Sequence, residues 1–180
     1  MKVVAIVGMA GCGKSEAARK FEKNGFTRIR FGDITDAEVK KRGLALNEKS
    51  ERHVRELLRK ELGMSAYAQL NLPRIDSALK HYDVVIDGLY SWEEYIFLKN
   101  HYGEIFFMVA IWSSPRVRYA RLTSRSNRQL TTEEAASRDQ AEIEKVNKGG
   151  PIAMADFTII NEYSVVNLKQ EVERIISSLR

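Results

Sequence analysis

The sequence predicts an α/β fold in which a parallel sheet of five strands is covered by helices on both faces. Three observations support this prediction. Short apolar runs alternate with longer, charged amphipathic stretches, as in strands joined by helical crossovers. The chain has 180 residues, the size of one domain. Apolar residues make up 44% of it, enough for a core, yet no apolar run reaches the ~20 residues that a membrane-spanning helix needs.

The five strands are predicted at the short apolar runs. They are residues 2–7, 27–31, 83–87, 105–112 and 157–160. Such continuous apolar strands are typical of parallel sheets that are buried on both faces. Right-handed crossovers then restrict the topologies that can connect them.

The helices are predicted between and after these strands. They cover residues 14–23, about 34–42, about 48–62, 65 to about 81, 91 to about 101, an arginine-rich stretch from 115, 131 to about 147, and 164–179. Capping signals support several starts: Asn47, Ser91 with Glu94, Ser114 before a proline, and Thr131 with Glu134. Within the fourth helix, a proline at position 73 predicts a kink or a break.

Composition restricts the class of protein. We find no linker and no internal repeat, so residues 1–180 are expected to form a single domain. One cysteine excludes an intramolecular disulfide framework. Gly8 and Lys14 interrupt the first apolar run too soon for a secretory signal, and we therefore expect a cytoplasmic protein without a membrane partner. The net charge of +5 indicates either an ordinary basic surface or an anionic ligand.

A phosphate-binding motif follows the first strand. The pattern G-x-x-x-x-G-K-S/T, known as Walker A, is matched at every fixed position by Gly8-Met9-Ala10-Gly11-Cys12-Gly13-Lys14-Ser15. Its glycines let backbone N–H groups converge on phosphate oxygens, and the next helix directs its positive end at the same phosphates. Lys14 is placed to reach the β- and γ-phosphates, and Ser15 to offer a hydroxyl to Mg²⁺. A strand before the motif and a helix after it strengthen the prediction of a nucleotide site.

Two further side chains belong to the chemistry of this loop. Asp87 ends the third strand, and the carboxyl ends of parallel strands are where α/β sheets bind ligands. We therefore predict that Asp87 holds Mg²⁺ through water beside Ser15, although Asp-Gly also ends strands as a simple turn. Cys12 is interpreted as a small filler of the loop. The alternative is a reactive thiol, because helix N-termini stabilise thiolates.

The order of these motifs resembles a known family. The Walker loop, Gly32-Asp33 after the second strand, Asp87-Gly88, the arginine-rich stretch and the segment 155–161 occur in the order seen in P-loop nucleoside-monophosphate kinases. The chain is most similar to an archaeal family described as adenylate-kinase-related or dephospho-CoA-kinase-like. This resemblance covers nearly the whole chain. It implies a P-loop NTPase three-layer sandwich, a sheet of order 2-3-1-4-5 and ATP with Mg²⁺ as the phosphoryl donor.

The resemblance also implies a helical lid that carries arginines, here at about residues 121–138. Arg118, Arg121, Arg125 and Arg128 have the spacing i, i+3, i+7, i+10, which places them near one helical face. Arginines on a lid stabilise the charge that spreads over a transferred phosphoryl group. We therefore assign catalytic roles to Lys14, Arg121, Arg125 and Arg128; the alternative for the arginines is a solvated basic face.

Family matching suggests two more site residues. Asn161, at the end of the last strand, matches the region that lines the adenine in dephospho-CoA kinases. Asp33 matches their general base, which accepts a proton from an acceptor hydroxyl. An equally good interpretation makes Asp33 an N-cap of the next helix.

Two departures put the acceptor in question. Many related kinases carry arginines where this chain has Asp36 and Tyr90, and those arginines grip the acceptor's phosphate. Arg30, Arg42 or Arg55 are candidates to replace them.

Three hypotheses follow. The first is an ATP-dependent phosphotransferase that acts on a nucleotide or another small molecule. The second is a nucleotide-binding switch or slow ATPase without a kinase acceptor. The third, a nucleic-acid-linked NTPase, is disfavoured because aromatic residues do not interleave with the arginines beyond Tyr119.

Overall fold

A computed structural model of the chain confirms the predicted fold class and strand order. The structure describes residues 1–126 and 128–180. The strands form one parallel sheet of order β2-β3-β1-β4-β5. They are β1 (Val3–Val7), β2 (Thr27–Arg30), β3 (Val84–Asp87), β4 (Phe106–Trp112) and β5 (Phe157–Ile160).

Helices connect and cover these strands. They are α1 (Lys14–Glu22), α2 (Gly32–Lys41), α3 (Glu48–Leu62), α4 (Ala66–Leu79), α5 (Trp92–Tyr102), α6 (Pro115–Thr123), α7 (Thr132–Glu144), α8 (Gly149–Ala153) and α9 (Val165–Leu179). Among the described residues, none of the helices combines the length and hydrophobicity that crossing a bilayer requires.

The central strand β1 divides the core into two layers. Val3, Ala5 and Val7 face the layer that contains α2 to α5, whereas Val4 and Ile6 face the layer of α1 and α9. All five β1 side chains are buried, because neighbouring strands flank β1 on both edges and helices cover both faces. This packing fixes the carboxyl end of β1, where the phosphate loop begins.

Most of the predicted helix starts are confirmed. The Asn47 side chain accepts a hydrogen bond from the backbone of Ser50, and the Ser91 side chain accepts one from Glu94. Ser114 caps α6, and Thr131 with Glu134 forms a complete capping box at α7. Helix α8 was not predicted, because it spans only five residues and begins with two glycines.

Of the kink or break predicted at Pro73, the break does not occur, since α4 continues through the proline. Burial explains this continuity. Tyr67, Ala68, Asn71 and Ile75 are all 0% exposed on one side of α4. The free energy of burying them outweighs the one backbone hydrogen bond that the proline cannot donate.

The arginine-rich helix is shorter than predicted. Helix α6 ends at Thr123, where Thr123 bonds back to the carbonyl of Tyr119 and Gln129 donates to the Thr123 carbonyl at 2.6 Å. These side-chain hydrogen bonds compete with continuation of the helix. Arg125 and Arg128 therefore lie beyond α6, and the prediction that they share a helical face with Arg118 is wrong.

Candidate active site

The phosphate loop, residues 8–15, joins β1 to α1 and packs tightly against other elements. Gly11 has φ +81°, and a Cβ there would lie 2.8 Å from the carbonyl oxygen of Arg118. Gly13 has φ +106°, and a Cβ there would lie 2.5 Å from the amide nitrogen of Asn161. Both positions thus require glycine for backbone conformation and for space. The loop has the strand–turn–helix geometry that presents backbone N–H groups to phosphates.

The side chain of Lys14 folds back onto the first residues of the phosphate loop. Its ammonium donates to the carbonyl oxygens of Gly8 at 2.8 Å and Met9 at 3.0 Å. The sulfur of Cys12 lies 3.8 Å from the same nitrogen. Cys12 is 0% exposed, which argues for a packing role and against a thiol that is open to reagents.

Asp87 and Ser15 come together as predicted. The Ser15 hydroxyl donates to one carboxylate oxygen of Asp87 at 3.4 Å. The other oxygen accepts from Arg28, including its Nε at 3.1 Å, so the carboxylate is held in one orientation. Arg28 was not anticipated, since its position on the edge strand β2 gave no signal in sequence.

The same pair of oxygens suits a magnesium ion. A hydroxyl and a carboxylate side by side form a hard oxygen donor set, the type that Mg²⁺ prefers together with waters and substrate phosphates. Within residues 1–126 and 128–180, no group of three or more acidic, histidine or cysteine side chains forms a separate metal cluster. The residues present therefore fit an ion shared with nucleotide phosphates.

Two buried side chains brace the loop from outside. Asn161, 5% exposed, donates its amide to the carbonyl oxygen of Cys12 at 2.8 Å. Arg118, 4% exposed, donates to the carbonyl oxygen of Ala10 at 3.1 Å. The amide of Asn161 is thus engaged with the loop itself, and the predicted contact with adenine stays a prediction.

Arg118 is also clamped to helix α7. Its guanidinium donates to both carboxylate oxygens of Asp139, at 2.9 and 2.6 Å. Tyr119 donates to the same carboxylate at 3.0 Å. The clamp connects the phosphate loop to α7 through one buried ion pair, so Arg118 has a structural role that sets it apart from the other arginines of this stretch.

The three arginines predicted to act in catalysis have different surroundings. Arg121 donates to the hydroxyl of Ser113 at 3.2 Å. Arg128 has φ 55° and forms ion pairs with Asp36 at 2.9 Å and Glu51 at 3.1 Å. Arg125 forms no ion pair with any carboxylate of the described residues. Position 127, inside the predicted lid, lies outside those residues.

Arg125 and Arg128 line a cavity of about 250 Å³ between the start of α3, the start of α2 and the segment after α6. We call it the first compartment. Its charged lining comprises Arg30, Arg55, Arg125, Arg128 and Arg138 with Asp36, Glu48 and Glu51. The surplus of two positive charges favours an anionic occupant. Partial desolvation, and then Arg138 and Arg128, lower the pKa of Arg125.

Two of the three candidate replacement arginines line the first compartment. Arg30 and Arg55 line the first compartment, whereas Arg42 pairs with Glu38 on the surface of α2. Arg30 also contacts Asp33 at 3.0 Å and Asp36 at 2.7 Å. Asp33 lies inside α2 rather than before it, and no side-chain cap starts that helix, so the N-cap interpretation of Asp33 is wrong.

A second compartment of about 300 Å³ adjoins the first between α3 and α7. The two share Glu48, Arg55, Tyr90 and Arg138 as lining residues. The lining of the second compartment adds further basic residues, namely Arg52, Arg59, Lys60, Lys145 and Lys148. Sequence reasoning missed most of these residues, because helix α3 reads as an ordinary amphipathic surface helix.

A buried ion pair closes one side of the second compartment. Lys148, 1% exposed, bonds to Glu142 at 2.7 Å. Burial lowers the pKa of Lys148 to about 8, an effect that Glu142 partly offsets. Burial acts to raise the pKa of Glu142, but Lys148, Arg138 and Lys14 outweigh it and hold that pKa well below its usual range. Lys14 thus lies close enough to influence charges in the cleft.

Comparison with known proteins gives two kinds of result. A family model described as an AAA domain matches residues 4–145. The UPF0200 protein TK1334 of Thermococcus kodakarensis is 35% identical over 181 residues, covering 98% of this chain and 97% of that protein. The UPF0200 protein PF1294 of Pyrococcus furiosus is 36% identical, with coverage of 98% and 97%.

Solved structures of other proteins share the fold of this chain. A shikimate kinase from Bacteroides thetaiotaomicron superposes with a TM-score of 0.60 at 14% identity, covering 99% of this chain and 98% of that one. A dephospho-CoA kinase from Campylobacter jejuni superposes with a TM-score of 0.56 at 14% identity, covering 99% and 97%. At such identities the likeness concerns the fold alone.

The sheet order, the glycine-dependent loop and these neighbours define a P-loop kinase-like protein with a fold that binds nucleotides. The chain has the AAA domain and belongs to the UPF0200 family. The resemblance to an archaeal kinase-like family is confirmed.

Proposed function

We propose that the chain is a phosphotransferase that moves the γ-phosphoryl group of ATP to a small anionic acceptor. The observation that supports this most directly is the first compartment, where five arginines from β2, α3, α7 and the segment after α6 converge. A nucleotide site alone needs no such pocket. A kinase needs one, because its acceptor must be held in line with the donor phosphate.

In this proposal the chain's own residues divide the work. The backbone N–H groups of the loop and the Lys14 ammonium hold the β- and γ-phosphates. Ser15 and Asp87 would hold Mg²⁺, which would supply positive charge that stabilises the phosphates. Asn161 and Arg118 keep the loop in shape through the carbonyls of Cys12 and Ala10.

The transfer step places an acceptor oxygen in the first compartment. That oxygen forms a bond to the γ-phosphorus while the bond to the β–γ bridging oxygen breaks, and ADP leaves. If the acceptor oxygen is a hydroxyl, its proton passes to Asp33, whose carboxylate is oriented by Arg30 at 3.0 Å and Arg74 at 3.3 Å. Arg125 and Arg128 then stabilise the charge that develops on the transferred group.

The second candidate is a nucleotide-binding switch or slow ATPase, and Asp36 and Tyr90 are the observations that favour it. Incubating the protein with γ-labelled ATP and a panel of phosphorylated and hydroxylated small molecules separates the two. Labelled acceptor supports the phosphotransferase, whereas free phosphate alone supports the ATPase. Lys14→Ala should abolish either signal, and Lys169→Ala, an exposed lysine on α9, should leave it unchanged.

Adenine is preferred over guanine in this proposal through family resemblance only. Titration calorimetry with ATP, and then with GTP as competitor, tests the preference. Lys14→Ala serves as the reference for lost phosphate contacts. Unchanged ATP affinity in that variant would contradict the assignment of residues 8–15 as the nucleotide loop.

A further inference from the structure

We propose that the acceptor has two separate anionic groups joined by an uncharged middle, and that each compartment of the cleft binds one of them. This inference rests on the proposed phosphotransferase function and specifies its substrate class. It comes from the distribution of unpaired guanidinium groups: each compartment contains one arginine that forms no hydrogen-bonded ion pair with a carboxylate of the described residues.

In the first compartment that arginine is Arg125. The other arginines there are already engaged: Arg30 and Arg128 with Asp36, and Arg55 with Glu48. Arg138 bonds to Glu48 at 3.1 Å as well. The free guanidinium and the surplus of two positive charges match a phosphate monoester, which has a charge between about −1.5 and −2 at neutral pH.

In the second compartment the unpaired arginine is Arg59. Its guanidinium carbon lies 5.4 Å from the ring centre of Tyr67 and 5.9 Å from that of Tyr90. Its Nε is buried without a hydrogen-bond partner. Nor do its terminal nitrogens bond to any residue in 1–126 or 128–180. An unsatisfied buried donor destabilises the protein, and an anionic ligand in this compartment would accept the missing hydrogen bond.

The boundary between the compartments suits the uncharged middle of such a molecule. Tyr90 lines both compartments, and its ring already contacts Arg59 and, at 5.2 Å, the ammonium of Lys148. The other boundary residues, Arg55 and Arg138, are both paired with Glu48, so the unpaired guanidinium groups lie toward the two ends.

The charge balance of the chain supports a ligand with more than one negative group. The two compartments are lined by ten basic and five acidic side chains, a surplus of five. The net charge of the whole chain is also +5, so basic and acidic residues balance over the rest of the molecule. The positive charge is therefore localised in the cleft and is not a general property of the surface. Cavities of about 250 and 300 Å³ limit the occupant to a small molecule.

Titration calorimetry without ATP tests the proposal at a fixed 0.15 M salt. The probes are methyl phosphate, with one anionic group, and the bisphosphates of 1,3-propanediol, 1,4-butanediol and 1,6-hexanediol, with two groups at increasing separation. We expect the best bisphosphate to bind at least tenfold more tightly than methyl phosphate, since its second group binds intramolecularly. If no bisphosphate binds better than methyl phosphate, or if neither probe binds, the proposal is overturned.

Variants assign the two groups to the two compartments. Arg59→Gln should remove the advantage of the bisphosphate and leave methyl phosphate affinity within twofold, while Arg125→Gln should weaken both probes. Arg59→Lys, which keeps a cation, should retain part of the advantage, and Arg174→Gln on exposed α9 should change nothing. A bisphosphate advantage that survives Arg59→Gln in a folded protein would also overturn the proposal.

A failure of the two-group acceptor can be distinguished from a failure of the proposed phosphotransferase function. The binding measurement uses no nucleotide, so a protein that only hydrolyses ATP still yields a result for the two compartments. Conversely, labelled transfer to an acceptor with a single anionic group would support the phosphotransferase and contradict the two-group acceptor.

Discussion

Replacing Asp139 by alanine should destabilise the protein more than any change to a surface ion pair. Arg118 is 4% exposed and donates two hydrogen bonds to Asp139, at 2.9 and 2.6 Å. Without the carboxylate, the carbonyl oxygens of Ser113 and Ala10 are the only remaining acceptors for this buried guanidinium in the part of the chain that the structure describes. The variant therefore leaves an uncompensated charge beside the phosphate loop.

The size of the loss follows from this burial. Removing one partner of a buried ion pair costs about 3–5 kcal/mol in free energy of unfolding. A domain has about 5–15 kcal/mol in total, so Asp139→Ala should fold but with much reduced stability. Asp139→Asn keeps an oxygen acceptor for Arg118 and should lose less, about 1–3 kcal/mol. ATP affinity should fall as well, because Arg118 then orients the carbonyl of Ala10 less firmly.

Urea titrations measure the midpoint and slope for each variant, with calorimetry for ATP. The matched control is Glu171→Ala, which breaks an exposed pair with Arg174 at 2.6 Å and should cost less than about 1 kcal/mol. If Asp139→Ala and Glu171→Ala lose equal stability, the buried ion pair between Arg118 and Asp139 does not stabilise the fold more than an exposed pair does.

Three other outcomes are expected. Asp87→Asn should raise the Mg²⁺ concentration needed for half-maximal ATP binding more than it weakens metal-free nucleotide binding. If the midpoint of the Mg²⁺ titration is the same in the variant and the wild type, Asp87 is only a turn residue. Arg125→Ala and Arg128→Ala should each lower kcat on the order of 10²-fold with little change in KM for ATP, because their charge acts on the transferred group. Steady-state kinetics measure both constants, and a wild-type kcat in both variants would contradict this role. Burial raises the pKa of Glu94 to about 7, so its ionisation destabilises the fold as pH rises from its ordinary value of 4.5 through 7. Glu94→Gln should match wild type in free energy of unfolding near pH 4 and exceed it at pH 8 by at most on the order of 3 kcal/mol. If the difference in free energy of unfolding does not change with pH, the ionisation of Glu94 does not destabilise the fold.

The fold was predictable because its signals are local or periodic. The strands are continuous apolar runs, and the caps at Asn47, Ser91 and Thr131 use side chains that bond within three residues. The end of α6 was not predictable in the same way, because it depends on Gln129 folding back onto Thr123. Local arginine spacing therefore suggested a helical face that the chain does not form.

The site was predictable where one segment contains the chemistry. The phosphate loop and Asp87 follow from motifs at strand ends, and the structure brings Asp87 to Ser15. The partners that hold them come from distant positions, such as Arg28 on β2 and Asp139 on α7. No sequence pattern links residues 59, 90 and 148, because only the fold brings Arg59 from α3 and Lys148 from before α8 to the ring of Tyr90.

The positions that depart from the kinase pattern bear most directly on the choice between transferase and switch. Asp36 replaces an arginine, yet Arg30 bonds to it at 2.7 Å, so a guanidinium from β2 occupies the cleft instead. Arg30 and the Tyr90 hydroxyl both lie near Gly32, 3.1 and 3.3 Å from where its Cβ would be. A pocket without an anionic ligand gains nothing from five clustered guanidinium groups, because like charges repel and Arg125 has no carboxylate partner among the described residues. The cleft therefore contains positive charge that an anionic ligand would balance, which supports the proposed phosphotransferase over a switch without an acceptor.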